Sequence, residues 1–243
     1  MRSGTQTRAP KQTSRKSAGT KQRQSEATRT AILSAALDVF SREGAMGART
    51  EEIAAAAGVN KAMLYYYFED KEALHGAVLE HAMSQGVPRV LAAIEAADGP
   101  RAQLAAYLSA HFDVIAGRPR LARLMQHEMM RAEASAHLKL IAERFTRPLS
   151  MRIQKILEDG IETGEFRALD ARHATMSIVS TITGYFLSAS MLRLLSGIDP
   201  YAPEALAARK AAVIDFVMHA VEQGSQTAES TGATTVQKKG TKR

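Results

Sequence analysis

Apolar side chains recur at intervals of three and four residues through most of the chain between Ser25 and Gln223. The clearest stripe consists of Ile32, Leu33, Ala36, Leu37 and Phe40. This spacing places apolar side chains on one face of a helix. We find neither the alternating pattern of a strand nor an internal repeat. The pattern therefore predicts an all-α protein of about nine helices.

Residues with strong capping or turn preferences divide the first part of this pattern into short helices. They are Gly44 after the first helix, Thr50 before the second, Gly58 and Asn60 between the second and third, and Asp70 before the fourth. Thr, Asn and Asp side chains accept hydrogen bonds from the first free N–H groups of a helix. With a first helix from about Ser25 to Glu43, three helices form a compact N-terminal module that ends near Lys71.

The predicted helices beyond this module are longer. They are a fourth from Lys71 to Ala97 with a kink near Gly86 and Pro88, a fifth and a sixth beginning near Pro100 and Pro119, a seventh from Ser135 to Thr163 bent near Pro148, an eighth from Asp170 to Leu195, and a ninth from Pro203 to Gln223. Proline suits the first turn of a helix, where its missing N–H is not needed. These helices predict a second, larger helical domain.

One segment of this larger domain has the length of a membrane span. Residues 174–192 carry no charge, but seven of these 19 residues are Ser or Thr. That polarity, and the absence of a second such segment, favours a buried helix. We therefore expect no membrane association.

Residues 50–68, TEEIAAAAGVNKAMLYYYF, have the pattern of a helix-turn-helix. Packing of the two helices through small and apolar residues leaves Lys61, Ala62 and Tyr65 on the outer face of the second helix, where they can reach base edges in a major groove. Tyr66 and Tyr67 can contact sugars and phosphates. We expect Tyr66 to be the ring that also leans on the first helix.

This segment and its flanks resemble the TetR family of bacterial one-component regulators. Over residues 27–80 the chain is similar to the family pattern A-x-x-x-F-x-x-x-G, then T-x-x-I-A-x-x-A-G-V-S, then L-Y-x-H-F-x-x-K-E-x-L. Asn60 stands where the family usually has Ser, and Tyr67 stands where His is commonest. The match covers several ordered motifs, whereas the larger domain is similar in architecture alone.

The resemblance implies a sequence-specific DNA-binding transcriptional regulator, most simply a repressor that a small-molecule ligand releases from a palindromic operator. By resemblance, Lys61, Ala62 and Tyr65 contact bases, and the phosphate contacts come from Thr50, Asn60, Tyr66, Tyr67 and Lys71, with Arg49 on the same surface. The partners so implied are double-stranded DNA, a second copy of the chain and a small-molecule ligand. The alternative function is that of a non-specific DNA-packaging or interaction protein that uses the same helix-turn-helix.

The resemblance also implies that the last two long helices form a dimer interface. Small or apolar residues recur along both helices: Ser177, Ser180, Gly184 and Ser188 on the eighth, and Val213, Phe216, Val217 and Ala220 on the ninth. Small residues permit close helix approach, although both stripes are also compatible with packing inside one subunit. Candidate ligand contacts combine apolar surface with a few polar groups: Tyr107, His111, Met125, Met129, Phe145 and Tyr185.

The net charge of +7 is unevenly distributed along the 243 residues. Residues 1–24 carry seven basic side chains and no acidic one, whereas residues 25–223 sum to about −3. We therefore predict four regions: a disordered basic arm (1–24), a DNA-binding domain (25–71), a ligand-binding and dimerisation domain (72–223), and a disordered basic tail (224–243). Basic ends of this kind are attracted to a polyanion.

Several other classes of protein are disfavoured by the sequence. The chain has no cysteine, which excludes disulfides and thiolate chemistry and suits the cytoplasm. The N-terminus has no apolar segment of the length that a secretory signal needs. His127, Glu128 and His137 lack metal-ligand spacing, and no catalytic motif is present, so we expect no metal, no cofactor and no enzymatic activity.

Overall fold

The computed structural model describes residues 13–130 and 136–222 and, within these residues, contains no strand. Its helices are α1 (Thr13–Gly47), α2 (Thr50–Ala56), α3 (Lys61–Tyr67), α4 (Lys71–Glu95), α5 (Gly99–Ala116), α6 (Pro119–Met129), α7 (Ala136–Ile141), α8 (Arg147–Glu162), α9 (Ala171–Leu187), α10 (Ala189–Ser196) and α11 (Pro203–Val221), with a π-helical turn, Ala142–Thr146, before α8. The predicted all-α fold with an N-terminal helix-turn-helix is confirmed.

Most predicted capping residues have the expected role. The side chain of Asn60 accepts a hydrogen bond from the Met63 N–H at 2.7 Å, and Asp70 accepts one from Ala73 at 2.7 Å. The prediction for Thr50 is wrong, because the extended backbone at Arg49 makes that residue the N-cap and places Thr50 inside the first turn of α2.

The first helix is longer than predicted. Its backbone is helical from Thr13, whereas the sequence predicted a start at Ser25 and a disordered arm before it. Residues 13–24 contain no proline, and six of the twelve are Lys, Arg or Gln, which favour helices. At Gly44 the backbone adopts a left-handed φ of 67° and interrupts the helix near its predicted end. Residues 1–12 and the predicted tail beyond 222 lie outside the described residues.

Two other boundaries differ from the prediction. The predicted eighth helix is two helices, because the chain bends by 65° between α9 and α10 at Ser188. Hydroxyls along α9 donate to carbonyls one turn earlier, as Thr183 does to Val179 O at 2.9 Å, and such bonds bend helices. The predicted seventh helix is divided into α7, the π-helical turn and α8.

Two hydrophobic cores organise the protein. The head core joins α1, α2 and α3 to Leu74, Val78 and Leu79 of α4, and it also takes in Leu124 of α6 and Phe145. The body core contains the far half of α4 with residues of α5, α8, α9 and α11. Because α4 contributes to both cores, movement in the body can reach the head through a single helix.

No individual helix in the described part of the chain is long and apolar enough to cross a membrane. The bent pair of α9 and α10 meets that test when the two are taken together. Within α9, Ile178, Ile182 and Phe186 are buried in the body core.

Candidate DNA-binding surface and ligand cavity

The helix-turn-helix is held by the apolar contacts that its sequence predicts. Ile53 and Ala54 of α2 are buried with Leu64 of α3 and with Phe68 directly after it. Gly58 supplies the turn with a left-handed φ of 68°, a conformation that a side chain disfavours. This packing fixes which face of α3 remains outside.

The outer face of α3 carries the predicted base-reading residues. Lys61, Ala62 and Tyr65 are all exposed. The Lys61 ammonium forms a 2.5 Å ion pair with Glu51 of α2 and lies 5.8 Å from the centre of the Tyr65 ring. The hydrogen bond from Lys61 lowers the pKa of the Glu51 carboxyl and raises that of the lysine. Glu51 was not among the predicted DNA-binding residues, so this acidic group beside Lys61 was missed.

The three neighbouring tyrosines occupy different environments. Tyr66 is 78% exposed, whereas Tyr67 packs against the head core and donates a hydrogen bond to Ser25 Oγ of α1 at 3.1 Å. The expectation that Tyr66 leans on the first helix is therefore wrong, because a shift of one residue turns a side chain by about 100° on a helix. The two rings meet edge to face, with centroids 5.3 Å apart.

The other predicted DNA contacts lie around the same surface. Arg49 and Asn60 are exposed beside the N-termini of α2 and α3. The hydroxyl of Thr50 is 3.4 Å from that of Tyr65, which links the two helices. The Lys71 ammonium donates to the carbonyls of Met46 and Ala48, at 3.2 and 3.1 Å, and so also closes the end of α1.

A second feature is an apolar cavity of about 240 Å³ in the larger domain. Four of the predicted ligand contacts line it: Tyr107, His111, Met125 and Met129. Phe145 and Tyr185 do not line it, although their chain neighbours Thr146 and Phe186 do. Phe145 is buried in the head core instead, and the Tyr185 hydroxyl donates to Pro200 O at 2.9 Å. Helical spacing identified the cavity side of α5 and α6 but not that of the π-helical turn and α9.

The cavity contains few polar groups. Tyr107 and His111 are joined by a 2.7 Å hydrogen bond between the phenol and Nδ1. Burial lowers the pKa of His111 to about 4 and raises that of Tyr107, so both groups are neutral at pH 7. Arg118, at the start of α6, also lines the cavity and was missed because nothing in the local sequence separates it from other surface arginines.

Only some of the residues predicted to form the dimer surface are exposed on the single subunit. Ser177, Ser180 and Ser188 are exposed, and a Cβ built on Gly184 meets no atom within 4 Å. The remaining outward residues are on α11, where Phe216 is 64% exposed and Ala220 is exposed.

Val213 and Val217 are buried within the body core, so placing them on an intermolecular surface was wrong. They stand four residues apart and therefore share one face of α11. That face points into the subunit, whereas Phe216 points out of it.

No group of three His, Asp or Glu side chains suited to a metal ion occurs in residues 13–130 and 136–222. Glu128 forms a buried pair with His75, whose Nε2 lies 3.6 Å from its carboxylate, and His137 lies 3.5 Å from Glu72. His127 instead lies next to Gly44 of α1.

A capped helix-turn-helix with an exposed reading helix, joined to an all-helical domain with an apolar cavity, defines a DNA-binding transcriptional regulator. Residues 32–78 match the family described as bacterial regulatory proteins, tetR family, and residues 100–217 match the tetracyclin repressor-like C-terminal domain. The HTH-type transcriptional regulator RutR of Escherichia coli (strain K12) is 31% identical over 185 residues, which cover 75% of this chain and 84% of RutR. The chain belongs to the TetR family.

Solved structures agree with this assignment. FadR from Bacillus subtilis, in complex with stearoyl-CoA, matches with a TM-score of 0.64 and 26% identity over 78% of this chain and 97% of FadR. The ketosteroid regulator KstR2 of Mycobacterium tuberculosis matches with a TM-score of 0.67 and 20% identity over 80% and 95% of the two chains, a likeness of fold.

Proposed function

We propose that this regulator binds a palindromic operator as a homodimer and represses transcription until a small molecule enters its cavity. The observation that carries the DNA part is the exposed face of α3, where Lys61, Ala62 and Tyr65 stand side by side over a buried core. In this proposal these three residues contact bases. The surrounding phosphate contacts come from Arg49, Thr50, Asn60, Tyr66, Tyr67 and Lys71.

Dimerisation is supported by the outward surface of α9 and α11. Small side chains along α9 lie beside the exposed aromatic ring of Phe216, a combination that suits close packing against the same helices of a second copy. A shallow groove between the two helices is walled by Ser177, Phe216 and Ala220. A two-fold interface makes both reading helices available to half-sites about 34 Å apart.

Regulation by a ligand is supported by the helices that line the cavity. Met83 and Val87 of α4, and Met125 of α6, face it, while Leu79 and Leu124 on the same two helices are buried in the head core. The stearoyl-CoA complex of FadR provides a precedent for an amphipathic ligand in a similar fold. A ligand in this cavity shifts DNA affinity to the extent that it binds one head position better than another.

The alternative, a packaging protein, is favoured by the seven basic side chains before residue 25. Selection of bound duplexes from a random pool separates the two functions, followed by titration of the selected duplex against a scrambled one. We expect a palindrome bound about 10³-fold more tightly than the scrambled duplex. Equal affinity for both duplexes would support packaging and overturn the proposal.

A further inference from the structure

Arg118 is unusual among the residues that line the cavity. It is the one charged side chain in the described lining, which is otherwise apolar apart from neutral hydroxyl and imidazole groups and includes no carboxylate. Its side chain is half-buried, and in the described residues its hydrogen bonds go to Ala82 and Gln85 rather than to an Asp or Glu. Burial and the neighbouring charge of Arg89 both lower the pKa of its guanidinium. Within residues 13–130 and 136–222, the cavity therefore presents a positive charge with no carboxylate in its lining.

In the described residues, the guanidinium is held by two neutral groups of α4. Nη1 donates to the carbonyl of Ala82 at 2.9 Å, and Nη2 donates to Gln85 Oε1 at 3.5 Å. A neutral carbonyl satisfies an arginine less strongly than an anion does, because charge-assisted hydrogen bonds between ions are shorter and stronger. An anion of suitable reach can therefore compete with Ala82.

Two residues of α4, Gly86 and Pro88, favour this contact. A Cβ on Gly86 would lie only 3.0 Å from Nη1 of Arg118 and 3.0 Å from Val114 Cγ1, so glycine leaves the room that the guanidinium occupies. Two residues on, Pro88 lies inside the helix. Proline has no N–H to donate to the carbonyl of Ser84, which weakens the helix at this point.

We propose that the regulatory ligand is an amphipathic anion whose charged group binds Arg118 and displaces the Ala82 carbonyl. The inference rests on the proposed regulation by a ligand. It adds the charge of that ligand and the residue that binds the charged group. The apolar part of the ligand occupies the cavity beside Met125 and Met129. Release of the Ala82–Gly86 segment frees the middle of α4, and its first half carries Leu74 and Val78 in the head core.

The test uses the full chain and two pairs of probes with the same carbon skeleton: decanoate with decanamide, and 4-phenylbutyrate with 4-phenylbutyramide. Calorimetry measures their affinities, and fluorescence anisotropy measures release of the selected operator duplex. In the wild type we expect one carboxylate at least to bind about tenfold more tightly than its amide and to release DNA. Arg118→Gln should reduce this preference to less than about twofold, whereas Arg118→Lys should retain part of it.

Arg101→Gln is the matched control, because it removes an equal charge from the first turn of α5, outside the cavity lining. Thermal melts confirm that each variant is folded. Amides that bind as well as carboxylates would overturn the inference while leaving a ligand cavity, and so would a carboxylate preference that persists in Arg118→Gln. Failure of every carboxylate to bind up to millimolar concentration would overturn it too. None of these outcomes bears on whether the ligand-free protein recognises an operator.

Discussion

The head and the body of this protein place their functional groups in opposite ways. The head buries its apolar residues and exposes a reading face, with Lys61 and Tyr65 one turn apart on a single seven-residue helix. The body encloses its candidate site, and the cavity takes side chains from α4 to α9 over about a hundred residues. A surface site of this kind is determined by local sequence, whereas an enclosed site depends on how distant helices meet.

The outward face of α9 and α11 lies outside both sites. As the proposed dimer interface, it controls whether two heads can bind one operator together. We predict that Phe216→Glu breaks the dimer and lowers operator affinity by about 10³-fold or more, because one half-site then binds alone. Analytical ultracentrifugation and operator titration measure the two effects. Ala207→Glu is the control, since nine residues at 100° place this exposed position opposite Phe216 on α11. A Phe216→Glu variant that stays dimeric would move the interface elsewhere.

The basic N-terminus adds an electrostatic difference between the head and the body. Residues 1–24 hold seven positive charges. The next residue, Ser25, accepts a hydrogen bond from Tyr67 at the end of α3. If three or four of these charges neutralise phosphates, deletion of residues 2–24 lowers the slope of log affinity against log salt by about three units. Between 50 and 200 mM salt this difference corresponds to roughly 60-fold in affinity. An unchanged slope would show that the arm does not contact DNA.

The free energy of unfolding should depend on pH through a buried group in the cavity, a contribution that we do not expect from the exposed face of α3. Since His111 titrates at about 4 in the folded protein against 6.5 in the unfolded chain, the unfolded chain binds more protons between these values. Stability is therefore lost as the pH falls from 6.5 towards 4, by about 2 kcal/mol at pH 5. His111→Gln can still accept from Tyr107 but does not titrate.

Thermal melts of both proteins at pH 7.5 and pH 5 measure this difference. We expect the wild type to lose about 4–8 °C more than His111→Gln over that range. Equal losses in the two proteins would contradict the burial of the imidazole as the cause.

The smallest expected effect concerns the acidic group on the reading face. Glu51→Gln removes the partner of Lys61 and a negative charge beside DNA. We predict tighter binding to operator and scrambled duplex alike, with a salt slope steeper by about one unit. Glu52→Gln is the matched control, because Glu52 pairs with Arg42 of α1 instead. If both variants behave alike, Glu51 has no special role in holding Lys61.

The sequence predicted the head with few errors, because its signals are short-range. Asn60 and Asp70 accept hydrogen bonds from N–H groups three residues later, and the left-handed turn at Gly58 depends on the backbone of that residue alone. The exchange of roles between Tyr66 and Tyr67 is the exception, since which ring meets α1 depends on the crossing of two helices rather than on spacing.

Prediction was weaker in the body for the same physical reason. A periodic pattern gives the apolar face of a helix but not what that face meets, so Phe145 was placed in the cavity and Val217 on an intermolecular surface. Arg118 carried no local signal at all, because its role depends on Gly86, 32 residues earlier in the chain. The break at Ser188 was also missed, since residues 174–192 contain no proline.

The central claim is that the exposed face of α3 reads bases, and parallel selections from one random pool test it most directly. Duplexes are selected separately with four proteins: the wild type, Lys61→Ala, Tyr65→Ala and the control Lys210→Ala. The control alters an ion pair with Asp113 in the body. We predict that the wild type and the control select the same palindrome. Lys61→Ala and Tyr65→Ala should each lose the preference at one or two positions of the half-site, at a cost of about 1–3 kcal/mol. Identical preferences from all four proteins would contradict the claim.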